Sequence, residues 1–422
     1  MAGIPIQRWT QANGAQVYLV ESPVIPMVDV QIDFDAGGRR DPAEKAGLAS
    51  VMAGQFSKGV QARGTEPALD ENALSEAWAD LGASFGASAG ADRLSFSLRS
   101  LSYPDLLPKV GALAARQLGA PAFPENVWER DRQRIGASLK EANTRPATIA
   151  GRAYAGAVYG DHPYGFEMTE ASIARIGTVD MKTLYARLMA PCHAKVSIVG
   201  ALNRSQADAL VTQLFSQLPA RTCAVLPTVP EVHALAQAQE RRIPFDSAQA
   251  HVFIGQPGFK RTDPDFFALT VGNYILGGGG FVSRLSTEVR EKRGLSYSVY
   301  SYFSPGLHAG AFTLGLQTRP DQAQQAVQVS REVLARFVAE GPTEAELKAA
   351  KDNLVGGFAL RIDSNRKLLD NVANIAWNGL ALDYLDTWAQ QVEKVTVEQV
   401  KAAFSRKLQP EKMVTVVVGG VS

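Results

Sequence analysis

Few residues in this chain stand in patterns that could do chemistry, and most of them lie in one stretch. It runs Gly277-Gly278-Gly279-Gly280-Phe281-Val282-Ser283-Arg284-Leu285-Ser286-Thr287-Glu288-Val289-Arg290-Glu291-Lys292-Arg293-Gly294-Leu295-Ser296-Tyr297-Ser298-Val299-Tyr300. Gly277, Gly278, Gly279 and Gly280 let another backbone come close, or simply end a helix. No Gly-Lys-Ser/Thr follows them, so they are not a phosphate loop. Phe281, Leu285 and Val289 recur at helical spacing on one face, and Gly294 stops that helix. Leu295 to Phe303 alternates like a strand. Arg290 is therefore expected in the last helical turn and Tyr297 early in the strand. On charge pattern alone, Arg290 among Glu288, Glu291, Lys292 and Arg293 reads as a solvated face. By the same reasoning Tyr297 reads as a half-buried strand aromatic.

The other chemistry-bearing residues are scattered. The five histidines, His162, His193, His233, His251 and His308, form neither HExxH nor HxxEH. Two cysteines, Cys192 and Cys223, allow one disulfide but no cysteine-based zinc cluster. No Gly-x-Ser-x-Gly elbow is present.

The elements that position these residues form an internal duplication. Lys182, Tyr185, Arg187, Pro191 and Gly200 recur as Lys401, Phe404, Arg406, Pro410 and Gly419 at a constant offset of 219 (401 − 182). In each copy a helical segment leads through proline into a β-branched strand that ends at glycine. The spacing predicts two α+β domains, residues 1–220 and 240–422, joined by a linker at 221–239 whose start is rich in proline. Strands are predicted over Gln16–Val20, Met27–Phe34 and Ala250–Gly255. A helix is predicted from Asp41, with Pro42 in its first turn and Glu44 completing a capping box. Further helices are predicted over Asp265–Leu276 and from Thr343 to about Gly356.

Of 422 residues, 43 are Lys or Arg and 42 are Asp or Glu, a net charge of +1. That balance argues against a general nucleic-acid binder and against a polybasic membrane-surface protein. No apolar run reaches 18 residues, so no transmembrane helix is expected. As the sequence stands the expected compartment is cytoplasmic; it becomes periplasmic if a signal peptide has been trimmed.

The stretch Leu276–Gly279, Ser283-Arg284-Leu285 and Glu288–Tyr297 resembles the C-terminal-domain signature of the M16 zinc peptidases, the family of pitrilysin, insulin-degrading enzyme and mitochondrial processing peptidase. The resemblance covers nearly the whole chain. It implies two M16-type domains, each a mostly antiparallel sheet packed with helices. It also implies that Arg290 and Tyr297, seven positions apart, are catalytic residues that face the zinc across the site and contact the substrate. The glycines at 277–280 are then candidates to line the peptide path. The family's inverted zinc motif, HxxEH, should lie on the helix after Asp41. Here its first histidine position is Ser50, the general-base position Ala53 and the second histidine position Gly54. The third ligand position is Ser138. These residues supply neither three good zinc ligands nor a base. The resemblance therefore implies a chain that carries no zinc and is inactive alone. It further implies a heterodimer with an HxxEH-bearing M16 subunit that holds the zinc, acting on peptides. The alternative implied is a catalytically inert scaffold or peptide-binding subunit of a larger complex.

Overall fold

The computed structural model describes residues 3–420, which divide into two compact units. The first takes the chain up to Ala137, then Met168–Val229 and Ala359–Asp386. The second takes Ser138–Glu167, Pro230–Phe358 and the chain from Thr387 on.

Unit 1 is built on a six-stranded sheet. Its strands are β1 (Gln7–Thr10), β2 (Gln16–Glu21), β3 (Met27–Phe34), β4 (Ser84–Ala89), β5 (Leu94–Leu101) and β6 (Lys195–Gly200), in spatial order β1-β2-β6-β3-β5-β4. The β2/β6 pair is parallel and the remaining pairs antiparallel. The central strand β6 is β-branched and inaccessible to solvent at Val196, Ile198 and Val199, as a strand covered on both faces requires.

Unit 2 repeats that order in a five-stranded sheet. Its strands are β7 (Gln239–Ile243), β8 (Ala250–Phe259), β9 (Val299–Phe303), β10 (Gly310–Thr318) and β11 (Val414–Val418), ordered β7-β11-β8-β10-β9. The β7/β11 pair is parallel, matching β2/β6, and the rest are antiparallel. Both sheets are thus mostly antiparallel, and the fold is α+β.

The offset of 219 is structural. Helix Thr178–Leu188 has its counterpart at Val397–Lys407, and the following turn Pro191–His193 at Pro410–Lys412. The same offset relates helix Pro146–Tyr159 to Asn365–Asn378. These two helices are the segments that depart from the contiguous halves 1–220 and 240–422. Helix Pro146–Tyr159 packs on β8 and β11 of unit 2, and Asn365–Asn378 packs on β6 and β3 of unit 1. Each sheet is therefore covered by a helix from the other half of the sequence.

Polar anchors fix both helices. Tyr154 of helix Pro146–Tyr159 is buried and donates its hydroxyl to the Phe312 carbonyl at 2.7 Å, while Thr313 Oγ1 donates to the Tyr154 oxygen at 3.1 Å. Burial pushes the Tyr154 phenol above its usual range. In unit 1, Lys195 Nζ donates to the Ala376 carbonyl at 2.8 Å.

The predicted helix at Asp41 begins later. A single 3₁₀ turn covers Ala43–Lys45, Gly47 takes φ +98°, and helix α1 spans Leu48–Gln55. Asp41 still caps it from a distance, accepting from Gly47 N (3.1 Å) and Ala49 N (3.0 Å), and Glu44 forms no capping box. The Thr343 capping box forms as predicted: Thr343 Oγ1 accepts from Glu346 N (3.1 Å) and Glu346 Oε1 from Thr343 N (2.9 Å). Between Phe215 and Gln239 the chain contains no helix or strand, so the linker at 221–239 overlaps β7 by its last residue.

Candidate functional site

The site elements follow one another without a long loop. Helix Phe266–Asn273 continues into a wide π-helical turn, Tyr274–Gly278, and a 3₁₀ turn, Gly280–Val282. A second π-helical segment, Ser286–Glu291, carries Arg290 in its last turn. Its end is closed by Lys292 N donating to Thr287 O (3.0 Å) and Leu295 N to Val289 O (3.0 Å), with Gly294 at φ +60°. Wide turns of this kind re-aim side chains and are found often at functional sites.

The face predicted from Phe281, Leu285 and Val289 splits. Leu285 and Val289 are inaccessible to solvent, but Phe281 is 65% exposed. Phe281 lies outside the helical segment, and its ring sits 4.3 Å from the Arg290 guanidinium carbon. Tyr297 is not in the strand, which begins at Val299. It stands in a loop and is 86% exposed, not half-buried. Ser296 anchors that loop: its buried Oγ lies 2.6 Å from the carbonyl oxygens of both Ser298 and Gln317.

Arg290 and Tyr297 share one cavity of about 520 Å³, which Gln249, Gln317, Arg319 and Gln322 also line. The surrounding charges are sorted. Lys292 and Arg293 both pair with Glu288, at 2.8 and 2.9 Å, and these bonds hold the Glu288 carboxyl below its usual range. Arg284 forms a two-point pair with Glu346, 2.7 Å at each oxygen. Among the described residues Arg290 has no ion pair and Tyr297 no hydrogen-bond partner for its hydroxyl. The solvated-face reading fits Lys292 and Arg293. It does not describe Arg290, which is turned onto Phe281 and into the cavity.

The glycines do not line that cavity. A Cβ on Gly277 would come within 2.4 Å of Ser301 Oγ, and one on Gly279 within 2.7 Å of the Tyr274 carbonyl oxygen. Gly277 thus permits close packing against β9, and Gly279 the wide turn. Gly280, at φ +64°, faces open space.

The degenerate zinc positions are placed as follows. Ser50 and Gly54 are exposed and Ala53 is buried, all on α1. Ser138 is exposed on helix Glu125–Ala142, within the segment assigned to unit 2. A hydroxymethyl, a hydrogen and a methyl on α1 leave no imidazole or carboxylate there, so these residues do not fit zinc. Beside this face, buried Gln55 donates to Asp131 at 2.8 Å, and Lys58 and Arg130 neutralise Asp131.

Among the histidines, His162 and His308 meet with ring centres 5.0 Å apart, a proximity their spacing of 146 residues (308 − 162) concealed. His162 is committed to the Pro230 carbonyl and the Tyr164 amide. Glu141 is committed to Arg145, with 2.7 Å contacts.

Sequence reasoning did not single out Phe281 as the support for Arg290, or Gln249, Gln317 and Arg319 as cavity walls. The first has a local signal, an aromatic nine residues before the arginine. The others come from distant strands and turns and have none.

Comparison with known proteins agrees with this anatomy. Residues 178–354 match the family described as Peptidase M16 inactive domain. A solved structure of a peptidase M16 inactive domain from Pseudomonas fluorescens is 34% identical, covers 99% of this chain and 98% of its own, and superposes with a TM-score of 0.91. An uncharacterised zinc protease of Mycobacterium leprae is 27% identical over 94% of this chain and 87% of its own length. The non-peptidase homolog YmxG of Helicobacter pylori is 26% identical over 92% of this chain and 89% of its own. The chain belongs to the M16 peptidase family, as an inactive member.

Proposed function

We propose that this chain is the zinc-less subunit of a heterodimeric M16 endopeptidase. In this reading it supplies Arg290 and Tyr297 in trans to the peptide held by a zinc-bearing, HxxEH-containing partner. The single observation that carries the reading is the state of the two donors. Glu288 pairs with its neighbours Lys292 and Arg293, while Arg290 and Tyr297 open unpaired onto one cavity. Donors kept free at a cavity and preorganised by Phe281 and by the Ser296-anchored loop are suited to an oxygen that gains negative charge. The scissile carbonyl oxygen of a peptide is such an atom. Hydrolysis at the metal belongs to the partner; this chain binds and orients the carbonyl and offers it two hydrogen bonds. The exposed apolar side chains of Phe281 and Val282, 65% and 74% accessible, give a second chain or a peptide something to cover beside Arg290. Gly280 offers a peptide an open backbone there.

The test is peptide hydrolysis by this chain alone, by an HxxEH-bearing M16 partner alone and by their mixture. Each is repeated with Arg290→Ala plus Tyr297→Phe. Only the native mixture should cleave. Removing one such donor costs about 3–4 kcal/mol in the barrier, a loss of roughly 10²–10³ in kcat. A mutant mixture that forms the complex and cleaves as well as the native one would reject the reading in favour of an inert scaffold.

A further inference from the structure

We propose that Cys192 and Cys223 form a redox-responsive clasp that fastens the first half of the linker to unit 1, with dithiols and disulfide oxidoreductases as its chemical partners. The two cysteines are disulfide-bonded across 31 residues of sequence. Cys192 lies in the turn before the central strand β6, and Cys223 lies in the linker.

The linker from Arg221 to Val229 has no regular structure, and most of it is exposed. Among the described residues, four polar or covalent contacts tie it to the rest of unit 1. Arg221 Nη1 donates to the Tyr185 carbonyl at 2.5 Å, and its guanidinium carbon lies 5.0 Å from the Tyr185 ring centre. The disulfide follows at Cys223. The His193 Nε2 nitrogen sits 2.8 Å from the Ala224 carbonyl oxygen, and Arg40 Nη1 donates to the Pro227 carbonyl at 2.9 Å. Besides the disulfide, the other three are non-covalent polar contacts, two of them donated by guanidinium groups. The disulfide alone is covalent, so it decides whether the segment stays docked.

The two sulfurs differ in access. Gly14, at φ +91°, packs so closely that a Cβ there would come within 2.9 Å of Cys192 Cβ, which covers one side of Cys192. Cys223 is exposed, and His193 Nε2 lies 3.9 Å from its sulfur. An incoming thiolate of a dithiol therefore attacks Cys223. The Cys192–Cys223 bond breaks, Cys192 leaves as a thiolate and takes up a proton, and a mixed disulfide forms at Cys223. The reagent's second thiol, as its thiolate, then displaces Cys223, which also takes up a proton. The dithiol ends as a disulfide and the protein as two thiols. Re-formation runs in reverse against an oxidised oxidoreductase. Such a bond persists in an oxidising compartment, which favours the periplasmic over the cytoplasmic setting.

The test uses the full chain isolated from an oxidising compartment. Iodoacetamide is added with and without prior dithiothreitol, and modified cysteines are counted by mass spectrometry. Limited trypsin digestion then follows cleavage after Arg221. Before reduction neither cysteine should be alkylated; after reduction both should be. Cleavage after Arg221 should rise at least tenfold on reduction while the sheets and their helices remain protected. The Cys192→Ser plus Cys223→Ser variant should digest like the reduced protein. If that variant fails to fold, by circular dichroism, the reduced native chain carries the comparison. Alkylation without prior reduction, zinc held by the two thiols and His193 in the isolated chain, or unchanged cleavage after Arg221 would each overturn the clasp.

Discussion

The guanidinium of Arg290 rests on the ring of Phe281, 4.3 Å from ring centre to guanidinium carbon, and Arg290 lines the same cavity as Tyr297. This contact aims a long, flexible side chain that has no ion pair to hold it. An exposed cation–π contact is worth about 0.5–1 kcal/mol. In the native mixture with an HxxEH-bearing partner, Phe281→Ala should therefore lower kcat by about two- to fivefold. Phe281→Leu, which keeps bulk without a π face, should do nearly as much damage. Arg290→Ala should cost far more than either. Steady-state kinetics of the three variants in parallel gives the ranking, and equal effects for Phe281→Ala and Arg290→Ala would mean that Phe281 acts through assembly.

Gly255 lies in the middle of β8, where strand propensity would favour almost any other residue. A Cβ there would come within 2.0 Å of both the Phe312 carbonyl oxygen and the Tyr154 hydroxyl. The missing side chain is what lets helix Pro146–Tyr159 dock on the unit 2 sheet. Gly255→Ala should destabilise unit 2 by about 1–3 kcal/mol through overpacking. Tyr154→Phe should cost about 1–3 kcal/mol because the Thr313 hydroxyl and Phe312 carbonyl lose a buried partner. Denaturant melts should show both losses, and the double variant should fall short of their sum because the two sites touch.

Much of this arrangement was legible in the sequence. The offset of 219 between Lys182 and Lys401 held residue by residue because Pro191 and Pro410, Gly200 and Gly419 mark the same turns and strand ends in both copies. The docking of helices Pro146–Tyr159 and Asn365–Asn378 on the sheet of the opposite half was not legible. Periodicity shows that a helix has an apolar face and is silent on which sheet receives it. The start of α1 was misplaced because Asp41-Pro42-Ala43-Glu44 has every capping signal, and only the left-handed Gly47 cancels them. Alternation over Leu295–Phe303 predicts Tyr297 in the strand; it does not reveal that the Ser296 hydroxyl reaches the carbonyls of Ser298 and Gln317, either of which can accept its one proton, where the chain turns out. The Arg290–Tyr297 pairing was legible through its spacing within a signature, and the cavity walls were not, since they arrive from β10 and from turns far along the chain.

Gly54 sits in the last turn of α1 with nothing within 4 Å of where a Cβ would be. Glycine in a helix costs at most about 0.5–1 kcal/mol of stability relative to alanine. Gly54→Ala should raise stability by up to that amount and leave assembly with a partner unchanged. A second substitution pair tests the lost metal face. Ser50→His plus Gly54→His places two imidazoles four residues apart on one exposed face of α1. That variant should bind zinc or nickel where the native helix offers no ligand, as isothermal titration would show. Two ligands remain short of the three that a catalytic zinc requires, so the variant should gain metal affinity without peptidase activity.

Asp41 supplies a pH dependence that can be isolated. It is buried, and burial raises its carboxyl to about 7 despite hydrogen bonds from Ala49, Gly47 and Leu48. The folded chain thus keeps a proton that the unfolded chain releases near pH 4. Stability from this group is fully present below about pH 4 and is lost as pH rises through 7. The full span corresponds to at most about 4 kcal/mol. Asp41→Asn preserves an acceptor for the amides at the start of α1 and cannot ionise. The difference in unfolding free energy, native minus Asp41→Asn, should therefore fall steadily between pH 4 and 7 and level off above it. Urea melts of the two proteins at half-unit pH steps measure that difference directly. A flat difference across the window would mean that the three amide hydrogen bonds outweigh burial and that Asp41 is already ionised in the folded chain at pH 5.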